Sequence, residues 1–177
     1  NRWKLQVTEG FLETAAHAPD VVITTSVLEW QEAPLPDLAA RALGLPPGTV
    51  GFSLERLRFL GGLPAVYSTN WMPLAVGRTL IGKPALKGTQ SLNATLREAG
   101  YRIYHARREV AAVLPPVDAA RYLQLSKNVP ALQIKSMSRD ISGMPFDYYE
   151  SYARSDVVTI SVDAQAVGDV EAGQKGL

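Results

Sequence analysis

The seven residues AARALGL, positions 39 to 45, return 80 positions later as AARYLQL, positions 119 to 125, and the stretches downstream of the two copies match as well. After the first come PPGT, VGFSLERLRFL, a GGLP turn and AVYSTNWMP; after the second come SKNVP, ALQIKSMSRDI, an SGMP turn and FDYYESYARSD. Alanine with leucine spaced for one face favours helix, and β-branched or aromatic residues alternating with polar ones favour strand. Each copy therefore reads as a short helix, a turn, a strand, a Gly-x-Pro turn and a second strand. Gly62-Leu63-Pro64 matches Gly143-Met144-Pro145 at an offset of 81, and a single insertion in a turn accounts for the extra residue.

Two such units would each leave an apolar sheet face uncovered, whereas one antiparallel sheet with the helices against it buries both. DVVITTSVLEWQEA (20–33), YRIYHARREVAAVLP (101–115) and VVTISV (157–162) read as further strands. SLNATLREAG reads as a helix opened by Ser91 and closed at Gly100, the residue type that most cheaply takes a left-handed cap. The expected fold is α+β, with a mainly antiparallel sheet of about six strands, flanking helices and an internal helix-hairpin repeat.

A length of 177 residues, 46% hydrophobic, suits one compact core. A net charge of +1 gives no basic field for phosphate backbones, so nucleic acid is not an expected partner of this chain by itself, and any bound anion must be held by a local cluster. The lack of cysteine excludes disulfides and thiolate chemistry and fits a cytoplasmic setting. No apolar run approaches the roughly 20 residues of a membrane span, and the opening NRWKLQV has no signal-peptide core. That opening begins without methionine and reads as the run-up to a helix, so an upstream segment is expected. One domain over residues 1–166 and a polar, disordered tail over 167–177 are the expected organisation.

His17 and His105 stand at no metal-ligand spacing and read as surface or strand-edge residues; no phosphate-binding glycine loop or nucleophile elbow is present. No metal or cofactor is expected. What stands out is LERLRF: on a strand, Arg56 and Arg58 share one face with Leu54, while Glu55, Leu57 and Phe59 share the other. Such a pair is either a solvated, charged sheet face or a grip for a carboxylate or phosphate. Across the GGLP turn, Tyr67, Ser68, Thr69 and Asn70 offer oriented hydrogen bonds. Ser91 is either a plain N-cap or an anion contact as well. Tyr148, Tyr149 and Tyr152 occupy equivalent places in the second repeat, as core packing or, at Tyr149, as a ligand contact.

Taken together, AARALGLPPGTVGFSLERLRFLGGLPAVYSTNWMP, QSLNATLREAG and SGMPFDYYESYARSDVVTISV resemble the effector-binding UTRA domain of GntR-type transcription regulators of the HutC subfamily, over about residues 11–163. The markers are the R-x-R strand with its G-x-P turn, the Ser-Leu helix start, and the final Arg154-x-Asp156 before an apolar strand. The resemblance implies a chorismate-lyase-like fold, a homodimer, and a winged helix-turn-helix that binds operator DNA and is absent from this chain. It implies that Arg56 and Arg58 grip the acidic group of a small anionic metabolite, helped by Ser91. Relatives that sense phosphosugars often carry Glu where Ser68 stands and Tyr where Ala153 stands, so an amino-sugar phosphate is not the expected ligand. The runs LREAGYRIYHARREV and PFDYYESYARSDVV look closer to regulators of phosphonate uptake and breakdown. Two alternatives remain open: a lyase-type enzyme, with Glu150 the nearest acid, and a structural dimerisation module whose arginines are merely solvated.

Overall fold

A computed structural model describes residues 3–6, 22–126 and 128–161. The elements run β1 (Trp3–Gln6), β2 (Ile23–Pro34), α1 (Asp37–Ala42), β3 (Val50–Leu60), β4 (Leu63–Pro73), α2 (Leu74–Arg78), a 3₁₀ turn (Pro84–Lys87), α3 (Leu92–Glu98), β5 (His105–Val113), α4 (Val117–Tyr122), β6 (Ala131–Arg139), β7 (Pro145–Arg154) and β8 (Val158–Ser161). Six strands form one sheet in the order β2-β3-β4-β7-β6-β5, every pair antiparallel. The α+β, mainly antiparallel expectation is met. At the amino end the chain departs from the expected helix run-up: Trp3–Gln6 is a strand, paired in parallel with β8. The expected tail, 167–177, and His17 lie outside the described residues.

The repeat is larger than its sequence signature. Each unit begins with a strand, so β2-α1-β3-β4 and β5-α4-β6-β7 are the two halves, joined at the central β4–β7 pair. Both repeat helices follow a proline at the N-cap, Pro36 or Pro116, and both end in a left-handed residue, Gly44 or Gln124. The terminal carbonyls are closed alike: Leu45 donates its N–H to Ala40, and Leu125 donates to Ala120. Register locates the insertion. Arg56 pairs with Ser68 and Ser136 with Tyr149, so the strands before the hairpin turn are offset by 80 and those after it by 81. The extra residue sits in the β6–β7 turn, where Asp140 accepts the backbone N–H groups of Ser142 and Met144.

α1 and α4 cover one sheet face. Ala39 and Ala40 of α1 and its C-cap Leu43 pack with Leu35 and Tyr148, and Tyr122 of α4 stacks on Tyr67 at 5.2 Å. On the opposite face, α2 and α3 bring Val76, Leu80, Leu92 and Leu96 against Phe52, Leu54 and Met72. A second apolar cluster, with Leu60, Val66, Ala153 and Val158, closes the other end. Between the two clusters that face is polar.

Candidate functional site

Strand alternation puts Arg56 and Arg58 on the face opposite α1 and α4, as expected, but they are not solvated: Arg56 is 4% exposed and Arg58 5%. A charged sheet surface is therefore excluded, and with it the premise on which the structural-module alternative treated these arginines. Burying two guanidiniums costs several kcal/mol each unless their charge and donors are met, which marks the place as specialised.

The register lays out what surrounds them. Arg58 lies opposite Thr25 on β2 and Val66 on β4; Arg56 lies opposite Ser68, and Ser68 opposite Ser151 on β7. One step along, Asn70, Tyr149, Ser136 and Arg108 form a second row across β4, β7, β6 and β5, and Asp147 pairs with Ser138 beyond it. Of the expected candidates, Arg56, Arg58, Ser68 and Tyr149 thus share one face. Tyr67 and Thr69 do not; they lie with Glu55 on the helix face, where Tyr67 donates to Glu55 at 3.1 Å. Tyr148 and Tyr152 also face that way, Tyr148 stacking on Trp71.

Hydrogen bonds wire the polar band. Arg56 Nη2 donates to Asn70 Oδ1 at 2.6 Å, and Asn70 Nδ2 donates to Asp147 Oδ1 at 2.8 Å. A donor on one side and an acceptor on the other leave the amide a single orientation. Asp147 is 6% exposed, and desolvation pushes its carboxyl up to about 6 against the opposing pull of the Asn70 bond and of Arg56 and Arg108. Arg108 is half-buried; desolvation lowers its guanidinium, with Tyr149 and Asp147 opposing. The hydroxyls of Thr25, Ser68 and Ser151 are buried without a hydrogen-bond partner.

Three residues here were not singled out as site residues from sequence: Asp147, Arg108 and Ser151. All three sit in strands where alternation separates faces without saying which face is covered. Asp147, not Glu150, is the buried acid of this face. Glu150, the expected nearest acid, is on the other face, accepting from Gln133 at 2.6 Å and from Tyr152 at 2.8 Å.

Ser91 caps α3 as expected, accepting from the Ala94 N–H at 3.3 Å, and the helix it opens spans seven residues. α3 approaches the arginine strand through Leu92 and Leu96, which pack near Leu54. Arg154 and Asp156 form a two-bonded ion pair, at 3.1 and 2.7 Å, and Arg154 also donates to the Leu123 carbonyl at the end of α4. This motif ties a repeat helix to the sheet.

A separate cleft of about 240 Å³ opens on the helix face, lined by Gln31, Leu35, Ser53, Glu55, Thr69 and Trp71 among others. Its one charged lining group is a carboxylate, so it does not suit an anion. Among the described residues, no three His, Asp or Glu side chains are grouped to hold a metal ion, and no helix is long and apolar enough to cross a membrane.

Comparison with known proteins decides the family. The model described as the UTRA domain matches residues 20–159. The chain belongs to the UTRA domain family. Among solved structures, this UTRA chain is similar to PhnF from Mycobacterium smegmatis, at 20% identity and a TM-score of 0.84 over 93% of this chain and 72% of that one. The effector domain of the same PhnF gives 20% identity and a TM-score of 0.83 over 94% and 100% of the two chains. A GntR-family transcriptional regulator from Enterococcus faecalis gives 21% and 0.71 over 80% and 100%. No curated protein matches the chain. The α+β, chorismate-lyase-like architecture implied by the resemblance is thus the observed one.

Proposed function

We propose that this UTRA domain is the ligand-sensing and dimerisation part of a cytoplasmic GntR-family transcription regulator. It binds a small anionic metabolite and passes the binding energy to operator DNA through a separate winged helix-turn-helix. The carrying observation is the charge of the polar band: among the described residues, Arg56, Arg58 and Arg108 share one sheet face with a single buried carboxylate, Asp147. Guanidiniums gathered beside small hydroxyls are complementary to a phosphate, phosphonate or carboxylate, each oxygen of which accepts charge-assisted hydrogen bonds. Likeness to the phosphonate regulators in the runs 96–110 and 145–158 supports a phosphorus-bearing group.

Binding rather than catalysis is the reading, because the buried acid of this face is bonded to an amide and not to a hydroxyl it would activate. Tyr67 and Tyr152, both raised to about 12, are held as donors to Glu55 and Glu150 on the other face. Ligand control of DNA binding requires a difference in affinity between two dimer arrangements, typically about 1–3 kcal/mol.

A thermal-shift screen against sulfate, phosphate, alkylphosphonates, sugar phosphates and carboxylates tests this, with Arg56→Ala/Arg58→Ala as control. A ligand at 100 times its Kd adds about 2.7 kcal/mol, so anions should raise the Tm of the wild type and leave the double variant unmoved. No shift in either protein refutes the sensor reading.

A further inference from the structure

We propose that the anion bound at Arg56 and Arg58 also carries a cationic amine, and that Asp147 receives it. The inference rests on the anion-sensor reading and narrows its ligand from anions in general to amine-bearing anions.

Equivalent positions in the two halves of the repeat carry opposite charge on one face. By register, the positions equivalent to Arg56 and Arg58 in the second half are Ser136 and Ser138, and the position equivalent to Val66 is Asp147. At these equivalent positions the first half brings two guanidiniums and the second a carboxylate and two hydroxyls, while Arg108 of β5 adds a half-buried cation on the Asp147 side. A ligand spanning the β4–β7 junction meets Arg56 and Arg58 at one end and Asp147, with Arg108 near it, at the other.

Asn70 keeps those ends apart. Its amide stands between Arg56 and Asp147, bonded to both, at 2.6 and 2.8 Å. The charges are thus separated by two hydrogen bonds and the width of an amide, on the order of 7 Å. A carboxylate offers about four acceptor positions. Among the described residues, Asp147 uses one of them, for Asn70, and takes part in no ion pair. The other groups facing it are Arg108 from β5, Tyr149 from its own strand and Ser138 from β6. Arg108 acts on it through space and not by contact.

A simple anion at the arginines would lie within reach of this carboxylate and be repelled by it. An ammonium three carbons from the anionic group turns that repulsion into a charge-assisted hydrogen bond, so Asp147 discriminates as well as binds. With its carboxyl near 6, Asp147 is ionised at pH 7.5 and able to do so.

Calorimetry at pH 7.5 with a matched pair, propylphosphonate and 3-aminopropylphosphonate, tests the inference on the wild type, Asp147→Asn and Arg58→Ala. The amine-bearing member should bind the wild type about tenfold tighter or more. Asp147→Asn should bring the two within about twofold, partly by improving propylphosphonate, and Arg58→Ala should weaken both. Equal affinity of the pair for the wild type, with both still lost in Arg58→Ala, overturns the amine inference and leaves the anion site standing. No binding of either compound, or binding indifferent to Arg58→Ala, overturns the anion reading and this inference with it. If Asp147→Asn does not fold, the wild-type comparison decides alone.

Discussion

At the scale of single residues, the unusual group is a buried carboxyl whose proton affinity is raised despite two nearby arginines. Burial outweighs them, so folded Asp147 holds its proton up to about pH 6, whereas the unfolded chain releases it near 4. Between those values the native state binds more protons, and stability falls as pH rises. Asp147 therefore contributes stability that is complete below about pH 4 and lost as the pH passes 6. Urea denaturation at pH 4.5 and 7.5 should show Asp147→Asn gaining on the wild type at the higher pH by on the order of 2 kcal/mol. A constant difference between the two proteins at both pH values would show that this carboxyl does not titrate in that range. Arg154 belongs to this scale too. Its bonds to Asp156 and to the Leu123 carbonyl are part-exposed, so Arg154→Ala should lower stability by about 1 kcal/mol without altering anion affinity. A change in affinity would place Arg154 in the site.

Among the elements, the repeat makes its own controls. Gly44 and Gln124 occupy the same left-handed position, at φ 69° and 53°, after equivalent helices. Only glycine takes that conformation without steric cost, but it also loses more freedom on folding. Gln124→Gly should thus raise stability by a few tenths to about 1 kcal/mol, and Gly44→Gln should lower it similarly, both read from chemical denaturation. Gly77 in α2 is different in kind: a Cβ there would collide with the Phe52 side chain in the core. Gly77→Ala should cost about 2 kcal/mol or more, since the buried Phe52 side chain must shift to admit the methyl group. The elements were legible in the sequence where alternation and a repeat coincide. VGFSLERLRFL became β3 in full, and the hairpins and both repeat helices fell where composition put them. The β3 and β6 bulges were not legible, and neither was the location of the insertion, because an offset counts residues without saying which turn absorbs one. Trp3–Gln6 defied its local pattern, a four-residue strand whose partner lies at the far end of the chain.

For the whole molecule, duplication explains both the stability of the sheet and the asymmetry of its site. One face is treated alike in the two halves, each short helix packing on the other half's central strand, α1 on Tyr148 of β7 and α4 on Tyr67 of β4. The other face has diverged: arginines at two positions in the first half stand where the second has serines, and the carboxylate stands where the first has Val66. The sequence exposed the arginine pair because two like charges two residues apart share a face on any strand. It could not expose Arg108 or the role of Asp147, since their meeting depends on β4 pairing with β7 and β5 closing the sheet, both long-range contacts. The most direct test of the central claim is calorimetric titration of the domain with the anion that stabilises it best, wild type against Arg58→Ala. Loss of a charge-assisted contact of roughly 2–3 kcal/mol predicts about 30- to 150-fold weaker binding in the variant. Equal affinity in the two proteins would contradict the claim that this buried face holds the ligand.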